Sequence, residues 1–324
     1  MKPLLTALTF PVIVLSTPVA AQNCDRECLI ALADTYAGAL VADDPGAVRW
    51  APGAVVMENL TPIAAGEGGF NSITGEGDDS YAVHVADPVS GQVGLLAMMA
   101  EGDAPVMVGI RLKLNETGAI IEAEHLIARD LSPPQLANLR TPRPALMAPV
   151  PEAWLDSRAA MIRLGLSYYN ALDNGNSRQS NMADDCERRE NGFQTARNPM
   201  VRERPNGNGQ NDPIFAYLGG LGCAAQMDTN MWEYISRIET RRVDLADPVT
   251  GLVWGMSHFE HDFTSQDFPL IGVPWSNNRH LENRPFDMPA IHIYKVWGGA
   301  IHEIEALGIV MPYESPHSFT DRSQ

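Results

Sequence analysis

From Asp25 onward, apolar residues return at Leu29, Leu32, Tyr36 and Leu40, the spacing of a helix that buries one face. The pattern recurs at Met161, Leu164, Tyr168 and Leu172, behind the capping candidates Asp156 and Ser157. Asp43-Asp44-Pro45-Gly46 ends the first helix and Asp173-Asn174-Gly175 the second, and a short helix is expected after each. Each then leads into a strand closing on Glu-Asn, at Glu58-Asn59 and Glu190-Asn191. Tyr36, Leu40, Glu58 and Asn59 answer to Tyr168, Leu172, Glu190 and Asn191 at one constant offset, so two copies of a single unit are expected.

The copies diverge after the Glu-Asn strand and then converge again. The first has a glycine-rich loop around Gly66 to Gly77, and the second an insertion from Gln194 to Gly222 with a run of Gly and Asn turn residues. Both then carry a long hairpin. Tyr81 to Ala86 turns through Asp87-Pro88-Val89-Ser90-Gly91 into Val93 to Met99, and Arg241 to Ala246 turns through Asp247-Pro248-Val249-Thr250-Gly251 into Leu252 to Phe259. Each copy closes with a second hairpin, Ile110 to Leu114 with Ile120 to Ala128, and Ile291 to Val296 with Ile301 to Met311. Helix, strand, long connection and four antiparallel strands make an α+β unit whose curved sheet wraps its leading helix. Residues 131–152 hold Pro133, Pro134, Pro142, Pro144, Pro149 and Pro151, a density that resists regular structure and predicts a semi-rigid linker between units at 22–130 and 153–324.

The segment before the first unit reads as a signal peptide over 1–21. Lys2 starts it, Leu4 to Leu15 form a short apolar run, and Val19-Ala20-Ala21 offers a cleavage site. A periplasmic or secreted location follows, with no membrane span expected. The formal charge of -17 argues against nucleic-acid binding, which needs clustered Lys and Arg. Four cysteines in an exported chain suggest two disulfides. Three pairings are open, and Cys24–Cys28 with Cys186–Cys223 is the favoured one. The first would span one helical turn, and the second would tie the Glu190 strand to the segment beyond the insertion.

The leading helix with Tyr36 or Tyr168, the Glu58-Asn59 or Glu190-Asn191 strand, and the Lys113…Gly118-Ala119-Ile120…Glu122 and Lys295…Gly299-Ala300-Ile301…Glu303 hairpins resemble the nuclear transport factor 2-like superfamily. Its enzymes include ketosteroid isomerase, scytalone dehydratase and polyketide cyclases of the SnoaL type. The exported tandem arrangement is also similar to a secreted bacterial and fungal group. The resemblance implies two tandem cone-shaped half-barrels, each enclosing an apolar pocket. It also implies that the copies pair through their sheet faces as an internal pseudo-dimer, with a homo-oligomer a further option.

Candidate chemistry concentrates in the second copy, as proton transfer without cofactor or metal on a small, partly apolar metabolite: isomerisation, dehydration, cyclisation or elimination. His258 shares a strand face with Trp254 and Met256, as an imidazole lining a cavity would, and is the candidate general base or acid. Tyr168, His292 and Glu190 would orient substrate, with Arg188, Trp254, Tyr294 and Met256 binding it. The plainer alternatives are a core histidine, a structural Arg188–Glu190 pair and a packed tyrosine. His258 and His261 lie three apart on a strand and do not converge as a zinc pair. Gly255-Met256-Ser257-His258-Phe259 lacks the second glycine of a nucleophile elbow. The rival to an enzyme is a ligand-binding or protein-interaction module. Convergence of His258, Tyr168 and His292 on one pocket favours catalysis, and divergence favours binding.

Overall fold

A computed structural model describes residues 24–77, 81–198 and 213–317. The expected signal peptide and the Gly/Asn run of the insertion lie outside the described residues. In the first half, α1 (Arg26–Ala42) starts where the Asp25 carboxylate accepts from the Cys28 amide. It is followed by β1 (Trp50–Glu58), β2 (Thr61–Ile63), α2 (Gly69–Ser72), β3 (Gly75–Glu76), β4 (Ala82–Asp87), β5 (Gln92–Glu101), β6 (Ala104–Leu114) and β7 (Ile120–Ala128). These strands form an open seven-stranded sheet in the order β2-β1-β7-β6-β5-β3, with β4 also beside β5. Only β1 and β7 pair in parallel, across the long connection that divides them.

Residues 131–152 do not stay irregular. They form α3 (Pro133–Asn138) and α4 (Pro144–Met147), and each opens on proline. Proline is tolerated there because the first helical turn needs no amide donor. Leu139 and Leu146 are buried, so the segment is packed rather than a spacer. Lys295 reaches it from the sheet, donating to the carbonyls of Leu146 and Ala148.

The second half runs α5 (Arg158–Asp173), β8 (Met182–Glu190), β9 (Phe193–Ala196), α6 (Pro213–Gly220), α7 (Cys223–Met227), β10 (Arg237–Asp247), β11 (Leu252–His261), β12 (Asp267–Pro269), β13 (Asn278–His280), β14 (Phe286–Trp297), β15 (Ala300–Gly308) and β16 (Met311–Pro312). Its seven-stranded sheet has the order β10-β11-β14-β15-β8-β9, with β16 beside β14, and the β8–β15 pair is parallel. The short helices expected before the Glu-Asn strands are 3-10 turns at Pro45–Ala47 and Ser177–Gln179. Among the described residues the β12–β13 ribbon has no counterpart in the first half. Both disulfides, Cys24–Cys28 and Cys186–Cys223, are formed; the second ties β8 to α7.

Each helix packs on one face of its sheet, and the opposite faces meet. Val83, Val85, Leu96 and Met98 of the first sheet bury against Trp254, Met256, Ile291 and Ile293 of the second. The contacts are reciprocal. Arg26, at the first position of α1, pairs with Asp247 (2.9 Å), and Arg158, at the first position of α5, pairs with Asp87 (2.7 Å). Trp254 lies over Gly94 and Ile291 over Gly109, where an added Cβ would collide with the larger side chain.

Candidate functional site

Strand alternation sorts the candidate residues into two sets. On β11, Val253 and Phe259 face α5, whereas Trp254 and Met256 face the first sheet. His258 has their parity. It stacks on His317 (4.4 Å between ring centroids) and lies 3.2 Å from Asp287. His258, Trp254 and Met256 are therefore on the far side of the sheet from Tyr168 and His292, and the expected three-way convergence does not occur. Sequence correctly grouped His258 with Trp254 and Met256. It did not reveal that this group faces the other sheet.

The helix-facing side holds a cavity of about 100 Å³ lined by Tyr168, Glu190, Trp232, His261, His292 and Ala306, among others. α5 supplies Tyr168, β14 supplies His292, and the end of β8 supplies Glu190. His292 is enclosed by aromatic rings, with Tyr168 at 5.6 Å and Tyr294 stacked parallel at 5.9 Å, and its Nδ1 lies 3.4 Å from the Tyr169 hydroxyl. Burial, helped by the charge of Arg188, drives its pKa down to about 3, so the ring is neutral. Tyr294 supports His292 from behind and is not part of the wall. Burial likewise lowers His261 to about 4; its ring lies against Phe286 at 4.1 Å.

Arg188 abuts the cavity as a fully buried cation. It lies 2.9 Å from Glu190 Oε1, donates to Thr195 Oγ1 and Gln226 Oε1, and stacks 4.5 Å over Trp232. Gln226 in turn donates to the carbonyls of Thr195 and Leu218. Thr195 at the start of the insertion and Gln226 in α7 just beyond it thus hold the guanidinium in place, while the Cys186–Cys223 bridge anchors α7 to β8. Burial raises the Tyr168 phenol, Arg188 opposes this and Glu190 adds to it. Tyr234, also on the wall, is pushed up to about 12 by burial and the Glu190 charge.

The first half places the equivalent tyrosine in a different setting. The Tyr36 hydroxyl is hydrogen-bonded to His125 Nε2 (2.8 Å), and His125 Nδ1 lies 3.3 Å from Glu58, which also accepts from the Gly69 amide (2.7 Å). Sequence reading passed over His125. Its parity with the buried Ala123 and Ile127 was the available signal. Register explains the difference between the halves. Ile110 on β6 is opposite His125 on β7, whereas His292 on β14 is opposite Ala306 on β15. The imidazole has moved one strand over, and Ala306 leaves open the volume that His125 fills.

Comparison with known proteins gives limited matches. A family described as a domain of unknown function, DUF8021, matches residues 155–308. No curated protein matches the chain. Among solved structures, a steroid delta-isomerase from Pseudomonas aeruginosa is similar at 16% identity and a TM-score of 0.25, covering 34% of this chain and 83% of that one. A candidate polyketide cyclase from Silicibacter sp. TM1040 is similar at 10% identity and a TM-score of 0.27, covering 46% of this chain and 89% of its own. AclR, a candidate hydroxylase from Streptomyces galilaeus, is similar at 14% identity and a TM-score of 0.21, covering 40% of this chain and 92% of its own.

Proposed function

We propose that the second unit binds a small, partly apolar molecule bearing a carboxylate or enolate oxygen, in the cavity between α5 and its sheet. The observation that carries this reading is the cavity itself: an aromatic wall interrupted by Tyr168, His292 and Glu190, with Arg188 buried behind it. Arg188 and the Tyr168 hydroxyl are close enough to perturb each other, and both are donors. With the guanidinium donating to the phenol oxygen, the Tyr168 proton is left to donate to an acceptor oxygen in the cavity. Size bounds the ligand. A dry engineered cavity of about 150 Å³ admits benzene, so a space of about 100 Å³ takes roughly six heavy atoms or fewer unless its wall yields. A polar groove of about 340 Å³ lies outside and shares Leu172, Trp232, Tyr234 and Ile235 with the cavity, so displacing those side chains would join the two.

Binding is favoured over catalysis for two reasons. His258, the candidate base, lies on the sheet face away from the cavity, against His317 and Asp287, and a histidine held neutral down to about pH 3, as His292 is, makes a weak base. Acid–base chemistry in this cavity would rest on Glu190, whose side chain is 44% exposed, with Tyr168 as donor. This is the second reading, and the isomerase, dehydratase, cyclase and lyase expectations belong to it. We further propose that the chain is a duplication of nuclear transport factor 2-like half-barrels at 22–130 and 153–324 joined by 131–152, and that it is exported. The common strand order, the reciprocal Arg26–Asp247 and Arg158–Asp87 pairs and the two disulfides support this. Among the described residues no helix is long and apolar enough to cross a membrane.

Calorimetric titration with propionate and with butyrate, paired with mass spectrometry of molecules retained on purification, tests the cavity. Ala306→Leu fills the space that His125 fills in the first half, and should abolish binding while the fold persists. Binding that survives in Ala306→Leu would place the ligand elsewhere. Turnover by the wild type that is lost in Glu190→Gln would favour the second reading.

A further inference from the structure

On the interface-facing side of the second sheet, the register assembles a group that the cavity does not use. Glu239 on β10 is opposite His258 on β11, and Glu260 is opposite both Arg237 on β10 and Asp287 on β14. Alternation points all of these side chains to one face. The segment after β16 then brings His317 over them, with Nδ1 3.7 Å from Glu239, Nε2 4.0 Å from Glu260, and its ring stacked on His258. One donor atom each from Glu239, Glu260 and His317 lie within 4.8 Å of one another.

A second observation lies beneath them. His258 is 1% exposed, and its Nδ1 has no hydrogen-bond partner; Asp287 is 1% exposed, and its Oδ1 has none either. Asp287 Oδ2 accepts from the Ser315 amide and lies beside His258 Nε2, which fixes the tail that carries His317. Buried polar atoms left unpaired are costly, and those of His258 and Asp287 lie under three converging ligand-type groups. Among the described residues Arg237 is the guanidinium paired with the cluster, at 2.6 Å from Glu260 and 3.6 Å from Glu239. Its side chain is 63% exposed and can swing into solvent.

We propose that Glu239, Glu260 and His317 form a site for a divalent transition cation, with Arg237 occupying its place in the metal-free protein. One imidazole and two carboxylates suit Zn²⁺ or Mn²⁺, whereas Ca²⁺ takes oxygen ligands alone. Zinc bonds of about 2.0–2.1 Å put tetrahedral donors roughly 3.3 Å apart, so the three groups, within 4.8 Å of one another, need to close by up to about 1.5 Å. His258 and Asp287 lie immediately below and position the His317 ring.

Calorimetric titration of the chelator-treated full chain with ZnCl₂ tests this, with CaCl₂ as the contrast. One Zn²⁺ per chain is expected, weakened by at least about tenfold in His317→Ala and in Glu239→Gln. Arg237→Ala should leave Zn²⁺ binding intact or tighten it, since a competing cation is gone. His317 belongs to the segment after the last strand, and a circular dichroism spectrum unchanged in His317→Ala would confirm that the variant folds. Absence of Zn²⁺ binding, or binding that His317→Ala leaves unchanged, overturns the proposal. Equal affinity for Ca²⁺ and Zn²⁺ also overturns it, because a carboxylate cluster alone would behave that way.

Discussion

Replacing His292 by Asn should remove a specific part of the protein's acid sensitivity. The free imidazole titrates near 6.5, and in the folded protein burial and the Arg188 charge hold His292 near 3. Its folded pKa is depressed, so between these values the unfolded chain binds a proton that the native state refuses. Stability therefore rises with pH across this window; the contribution is fully present at pH 7 and is lost as pH falls. Integrating the linkage gives a loss of about 2 kcal/mol at pH 5 and about 3 kcal/mol at pH 4, towards a ceiling of about 5 kcal/mol below pH 3. Asn keeps a polar atom near Nδ1 for the Tyr169 hydroxyl and does not titrate. Urea unfolding at pH 7, 6, 5 and 4 on both proteins isolates the histidine, because the carboxylates are common to both. The wild type should lose about 2 kcal/mol more than His292→Asn between pH 7 and 5. Parallel profiles would mean that His292 can take up a proton in the folded state, and the account of a neutral ring in a dry aromatic setting would fail.

Two other outcomes follow from the packing. Opening Cys186–Cys223, which closes a separation of 37 residues, should cost about 4 kcal/mol, and opening Cys24–Cys28, with a separation of 4, only about 2 kcal/mol, read as urea midpoints of Cys→Ala pairs. Gly94→Ala should destabilise the contact between the sheets by about 1–3 kcal/mol in thermal unfolding because its methyl group meets Trp254; the double variant Gly94→Ala/Trp254→Leu should recover part of the loss.

Much of the architecture was legible because it depends on local patterns. The Tyr36 and Tyr168 helices, the Glu-Asn strands and the Asp-Pro hairpins all formed close to the expected positions, and the favoured cysteine pairing is the one present. The linker was misread for a local reason too: Pro133 and Pro144 open helices that proline content alone argued against. Gln226, which orients Arg188 from the helix after the insertion, lies 38 positions from it and left no sequence signal.

By itself, the sequence determined where the Tyr36 and Tyr168 helices, the Glu-Asn strands and the Asp-Pro hairpins form, and which side chains share a strand face. Tertiary structure decided which face looks where. An alternating strand has a period of two and shows polarity only when one side is wet, whereas every residue of β11 is buried. His258 and Phe259 therefore looked equally internal, and only packing assigned the first to the face away from the cavity, beneath His317, and the second to the helix side. Cross-strand register, which brings Ala306 rather than a histidine beside Tyr168, then made room for the cavity.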